Sequence, residues 1–211
     1  MYKKLLVLFF IIPQSLVFSD TSFINEIGLT ERIVNEAVLN IDKYNSDFDK
    51  NFKNESRIKI AKSIIFPEVL RFRSIGNICE TYLNIINFDF SIGLFQMKPS
   101  FVKMVLNESG LSGVYNDLTN KEFIEKMNNE YFQIEILKYF INLCYDNIEE
   151  LSDKNDEDTI IILSTAYNLG EYKDLNLIID MTDVPVWRNT YFNVYEKYPY
   201  SYISVYYYNK F

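Results

Sequence analysis

Apolar residues recur every three or four positions along most of this 211-residue chain, which is the spacing of one face of an α-helix. The pattern predicts helices over residues 30–44, 55–74, 76–87, 120–147 and 155–169. Thr30 is the expected N-cap of the first helix, and Pro99 suits the first turn of a further one. Helices packed around one core are therefore expected, in a mainly α fold.

Four stretches interrupt or qualify this pattern. Residues 45–54 predict a loop, and residues 88–97 predict a short extended or irregular segment. Pro67 lies inside the second helical pattern and is expected to kink or end that helix. The Tyr-rich tail over residues 186–211 favours helix.

The first residues are typical of a signal peptide. Lys3 and Lys4 precede an apolar run that is too short to cross a bilayer, and Ser19 closes a small-residue cleavage site. We therefore expect residues 1–19 to be removed and residues 20–211 to form one domain, a monomer that is exported to the periplasm or the extracellular space. No later stretch is long and apolar enough to span a membrane.

Charge and composition exclude several classes of function. Removing residues 1–19 takes two lysines and no acidic residue from a chain whose formal net charge is −8, which opposes binding to nucleic acid. The chain has no histidine, so histidine-based triads, bases and metal sites are excluded. Cys79 and Cys144 are too few for a zinc site, and they either pair or stay free and buried. No metal or cofactor is expected.

Three polar positions stand in apolar surroundings: Glu68, Gln96, and Tyr167 with Asn168. A buried glutamate has a raised pKa, as the acid of a glycosidase requires. The alternative is that Glu68 pairs with Arg71, three residues later, on a solvated helix face. Gln96 needs hydrogen-bond partners or a ligand, because an unpaired buried amide costs about 1–3 kcal/mol.

The order of these positions resembles the lysozyme-like lytic transglycosylases and goose-type lysozymes. Those proteins carry a glutamate at a helix end, a G-L-M-Q-type segment and an A-Y-N-x-G segment; this chain has Glu68, "GLFQ" at 93–96 and "AYNLG" at 166–170. The resemblance covers residues 55–175 and implies a lysozyme-like helical domain with its short extended segment near the cleft. It departs from the family in having Val69 where serine is usual, Pro67 before the glutamate, and an added helix before Gly93.

The resemblance implies that Glu68 is the catalytic acid/base of an enzyme that cleaves peptidoglycan glycan strands. Gln96 would bind the N-acetylated sugar, with Gly93 and Phe95 around it, while Tyr167 sets the geometry of Glu68 and Asn168 holds the local backbone. No second carboxylate occupies a motif position; the nearest, Glu80 and Asp89, are expected to cap or solvate helices. A single acid favours a lytic transglycosylase with 1,6-anhydro products over a hydrolytic lysozyme. A non-catalytic wall-binding or structural module is the other alternative.

Overall fold

Helices form most of the computed structural model, which describes residues 28–72, 74–188 and 197–211. The helices are α1 (Glu31–Asp42), α2 (Asn45–Asn51), α3 (Glu55–Arg71), α4 (Ser74–Ile85), α5 (Pro99–Glu108), α6 (Gly113–Asn116), α7 (Asn120–Met127), α8 (Glu130–Asn147), a 3-10 helix (Glu149–Asp153), α9 (Asp156–Leu169), α10 (Leu175–Met181) and α11 (Tyr200–Lys210). Strands β1 (Pro185–Arg188) and β2 (Lys197–Pro199) pair antiparallel, with Pro185 opposite Pro199 and Arg188 opposite Lys197. The prediction of a mainly α fold is confirmed. The predicted signal peptide, residues 1–19, lies outside the described residues.

Helix α3 lies at the centre of the domain. It packs against α1, α9 and α11, and its residues from Ile60 to Leu70 are buried apart from Lys62. The start of α9 fixes this arrangement, because Asp156 accepts hydrogen bonds from the hydroxyls of Ser56 in α3 and Tyr208 in α11, both at 2.7 Å. The described part of the chain contains no helix with the length and apolarity needed to cross a membrane.

Several helix ends match the sequence signals. Thr30 caps α1 by accepting from the amide of Ile33, and Pro99 begins α5. Gly170 ends α9 in the left-handed conformation, with φ of 69°. Asp89 accepts from the amide and hydroxyl of Ser100 in the first turn of α5, so the expectation that it caps a helix is confirmed.

The prediction of a loop over residues 45–54 is wrong, because α2 occupies most of that stretch. Its sequence has one large apolar residue, Phe48, which is too little to show a helical period. Phe48 is fully buried between the rings of Phe52 and Phe95. Packing of the Phe48 side chain therefore stabilises a helix that the apolar pattern of residues 45–51 does not predict.

The single long helix predicted over residues 120–147 is two helices that meet at Asn128 and Asn129. The Asn129 side chain accepts from the amide of Phe132 and so caps α8. The Asn128 side chain donates to Ile124 O, at 3.2 Å, and reaches Asn77 of α4. Asparagine side chains compete in this way with the helical backbone hydrogen bonds. The helix is therefore interrupted here, although the apolar pattern continues on both sides of the two asparagines.

Pro67 was predicted to kink or end its helix; it does not end the helix, and the kink stays a prediction. It has no N–H to donate to the carbonyl of Ser63, yet α3 continues to Arg71. Buried residues lie on both sides of it, and the Tyr200 hydroxyl donates to the carbonyl of Ile64, at 3.1 Å, in the same turn. Tertiary contacts therefore outweigh the local preference for a helix end.

The tail is helical only in part. Helix α11 confirms the prediction over residues 200–210, whereas residues 185–188 and 197–199 form the strand pair and residues 189–196 lie outside the described residues. Cys79 is exposed on α4 and Cys144 is buried in α8, and both are free thiols. Burial raises the pKa of the Cys144 thiol.

Candidate functional site

Glu68 is buried in the last turn of α3, with 4% of its surface exposed. Both of its oxygens are bound by Arg71, whose Nε donates to Oε2 at 2.7 Å and whose Nη2 donates to Oε1 at 2.6 Å. Glu68 and Arg71 therefore form the i, i+3 ion pair that the sequence offered as an alternative, but the carboxylate is buried and does not lie on a solvated helix face. The Arg71 side chain is 31% exposed and so lies between the carboxylate and the solvent.

The pKa of the Glu68 carboxyl is raised by burial, which outweighs the opposing effects of the Arg71 guanidinium and the Tyr200 hydroxyl. Burial also raises the pKa of the Tyr167 and Tyr200 hydroxyls, and the charge of Glu68 adds to both rises. These three groups therefore lie close enough to interact electrostatically. Both tyrosines therefore stay neutral at neutral pH, and their hydroxyls donate to the carbonyls of Phe95 and Ile64.

Tyr167 links α9 to the segment that contains Gln96. Its hydroxyl donates to the carbonyl of Phe95 at 2.7 Å, and its ring packs edge-on against Phe101 and Phe140. Asn168, next to it in the last turn of α9, is half-buried. The charge of Glu68 acts on the Tyr167 hydroxyl, and the predicted role of Tyr167 in setting the geometry of Glu68 stays a prediction.

Gln96 lies in a tight turn between Ile92 and Met97, whose backbones exchange hydrogen bonds of 3.0 and 3.1 Å. The half-buried Gln96 has φ of 52°, and its Nε2 donates to the carbonyl of Gly93 at 2.9 Å. Its side chain therefore closes its own turn. The predicted contact between Gln96 and a sugar stays a prediction.

The family resemblance implies that Phe95 lies beside the sugar that Gln96 would bind. The ring is fully buried and packs against Tyr44 and Phe48, so it contacts protein on every side. Met97 is also buried. What Phe95 presents to the site is its backbone carbonyl, which binds Tyr167.

The turn rests on Gln133 of α8, a residue that the sequence reasoning missed. Gln133 is 1% exposed; its Nε2 donates to Ile92 O at 2.8 Å and its Oε1 accepts from the Phe95 amide at 3.1 Å. Gly93 has φ of 76°, and a Cβ there would clash with the Gln133 amide. The glycine is thus required by contact with a protein side chain. A polar residue between Phe132 and Ile134 was the available signal.

Helix α4, the helix added relative to the family pattern, supports the same turn. Asn77 Oδ1 accepts from the amide of Gly93 at 2.6 Å. One helical turn later, Glu80 is half-buried, and its pKa is raised by burial while the nearby Arg71 guanidinium opposes the rise. The sequence suggested only a capping or solvated role for Glu80, and it gave no sign that Tyr200 in the tail would approach Glu68.

Two open grooves adjoin this cluster. One, of about 310 Å³, is lined by Tyr44, Phe72, Leu94 and Glu130 and lies beside the end of α3 and the Gln96 turn. The other, of about 430 Å³, follows α4 and includes Asn77. Glu68 lines neither groove, and the smaller one comes nearest to it in the chain through Phe72.

The chemistry available in the cluster is acid–base. It combines one buried carboxyl, a guanidinium and two neutral phenols. Within residues 28–72, 74–188 and 197–211, no three Cys, Asp or Glu side chains are grouped so that they could hold a metal ion. Searches of protein-family models, curated proteins and solved structures find no match to this chain. The family resemblance therefore rests on the three sequence segments alone.

Proposed function

We propose that the protein is a peptidoglycan lytic transglycosylase of lysozyme-like fold, with Glu68 as its single acid/base. The observation that carries the proposal is the convergence of the three motif segments. Glu68 interacts electrostatically with Tyr167, and Tyr167 donates to the carbonyl of Phe95 in the turn that contains Gln96.

Burial suits Glu68 to this role. A glycosidase acid must be protonated near neutral pH, and removal from water favours the neutral carboxyl. In the reaction, Glu68 gives its proton to the oxygen that leaves with N-acetylglucosamine, while the acetamide of N-acetylmuramic acid stabilises the positive carbon. The C6 hydroxyl of the same sugar then attacks that carbon and its proton passes to Glu68. The product is a 1,6-anhydro sugar, and the carboxyl is restored.

The lytic route is favoured over hydrolysis by the surroundings of Glu68. A hydrolytic enzyme usually needs a second carboxylate to activate water or to act as the nucleophile. Among the described residues, the groups that approach Glu68 are Arg71, Tyr167 and Tyr200. Glu80 interacts with Arg71 instead.

A second candidate function is a non-catalytic glycan-binding or structural module of the envelope. The bidentate bond from Arg71 favours it, because an arginine that occupies both oxygens keeps a carboxylate ionised and engaged. On that reading, Glu68 and Arg71 are a structural ion pair that ends α3. The two candidates differ in whether Glu68 ever leaves this pair.

The deciding experiment incubates the purified protein with purified peptidoglycan and identifies the released fragments by mass spectrometry. Glu68→Gln is the test variant, and Glu36→Gln, on the exposed face of α1, is the matched control. Anhydro fragments from the wild type and Glu36→Gln but not from Glu68→Gln support the transglycosylase. Reducing-end fragments instead indicate a lysozyme. Intact glycan retained by all three proteins, with no soluble fragment, refutes the enzyme and supports the binding module.

A further inference from the structure

The ion pair between Glu68 and Arg71 is a state in which Glu68 cannot act as a general acid. A guanidinium that donates to both oxygens requires an ionised carboxylate, whereas a general acid must hold a proton. Acid catalysis by Glu68 therefore needs Arg71 to move away first. Arg71 stays a cation throughout, since guanidinium groups do not lose their proton in proteins.

An arginine that leaves one carboxylate needs another partner, because an unpaired cation in a mostly buried site is costly. Glu80 supplies a second carboxylate from α4. It is half-buried, and the Arg71 guanidinium is the charged group that lowers its pKa against the effect of burial. Arg71 thus has Glu68 in direct contact and Glu80 on the neighbouring helix.

We propose that Arg71 is a positioning residue that alternates between Glu68 and Glu80 and thereby decides whether Glu68 can hold a proton. The inference rests on the proposed role of Glu68 as the acid. When Arg71 turns to Glu80, Glu68 takes up one proton from water; when Arg71 returns, that proton is released. The Arg71 side chain is 31% exposed, whereas that of Glu68 is 5% exposed, so Arg71 is the member of the pair that borders solvent.

Of the described groups around Glu68, Arg71 is the one that carries a charge at neutral pH. Among the described residues, the titratable groups that face Glu68 are Arg71 on its own helix, Tyr167 from α9 and Tyr200 from α11. Both tyrosines stay neutral at neutral pH because burial and the Glu68 charge raise their pKa. Glu80 is not one of these groups, and the charged group that acts on it is Arg71.

The test is a carbon-13 NMR titration of the Glu68 carboxyl, assigned by its loss in Glu68→Gln. In Arg71→Met the midpoint should rise by about one pH unit or more, because a buried carboxyl loses its cation. In Glu80→Gln the midpoint should fall, because Arg71 has lost its alternative partner and binds Glu68 more firmly. In the Arg71→Met/Glu80→Gln double variant the effect of Glu80→Gln should disappear.

Arg71→Lys serves if Arg71→Met does not fold, since it keeps the charge without the bidentate geometry and should give a smaller rise. An unchanged or raised midpoint in Glu80→Gln overturns the proposal, and so does a fall that persists in the double variant. The titration is independent of cleavage, so the two proposals fail separately. If the wild type cleaves peptidoglycan, the alkaline limb of its pH–rate profile should move with the midpoints. If it does not cleave, the enzyme proposal alone is lost.

Discussion

Replacing Gln133 by methionine tests whether a single buried amide holds the Gln96 turn in place. Methionine has nearly the shape of glutamine but cannot replace its two hydrogen bonds. The Phe95 amide, which donates to Gln133 Oε1 in the interior, would lose its acceptor at a cost of about 1–3 kcal/mol. Ile92 O would lose one of two donors, about 1 kcal/mol more, because it still accepts from Met97.

Gln133→Met should therefore lower the free energy of unfolding by about 2–4 kcal/mol, a large part of the 5–15 kcal/mol typical of a domain. The assay is urea unfolding followed by helical circular dichroism, with hydrogen exchange at the Phe95 amide as a local probe. Asn142→Met, on the exposed side of the same helix, is the control and should change the stability by less than about 0.5 kcal/mol. A loss in Gln133→Met no larger than that of the control, with the Phe95 amide still protected, would refute the reasoning.

Three further predictions concern the rest of the domain. Asp156→Asn should lower the free energy of unfolding at neutral pH and have a smaller effect in acid. Two hydroxyl donors lower the pKa of Asp156, so its contribution to stability is present above its ordinary pKa and is lost as the pH falls through the lowered value. Urea unfolding of the wild type and the variant at several pH values measures this difference. Tyr200→Phe should raise the pKa of Glu68, because a hydroxyl that stabilises the carboxylate is removed; an unchanged NMR titration would contradict this. A thiol reagent should modify Cys79 in the native protein and Cys144 only after unfolding, and equal native rates would show that the assigned burial is wrong.

The sequence predicted those parts of the fold that local chemistry decides. The apolar faces of α1, α4 and α9, the cap at Thr30 and the stop at Gly170 all depend on neighbouring residues, so a single sequence is enough to find them. Helix α2 could not be found because its stability comes from Phe48 packing on a ring almost fifty positions away. Pro67 does not end α3 for a similar reason, since the contacts that bury α3 against other helices are not visible in the local sequence.

Some residues of the candidate site could likewise be found from local sequence, and others could not. Glu68, Gln96 and Tyr167 stand out as polar residues in apolar runs, which any close reading of the chain reveals. Gln133 is equally polar and more deeply buried, yet the sequence analysis placed it only within the helix predicted over residues 120–147. Tyr200 carries no local signal at all in a tail rich in tyrosine, because its importance is created by where α11 packs.

The contact between Tyr200 and Ile64 spans 136 positions, and it has a consequence for how the site comes into being. Contacts between residues so far apart in sequence form late in folding, because closing a long loop costs chain entropy before the contacts contribute any stability. A growing chain holds Glu68 and Arg71 long before it holds the helix that covers them. The surroundings of Glu68 are therefore complete only once α11 has docked, and the proposed activity should require that docking.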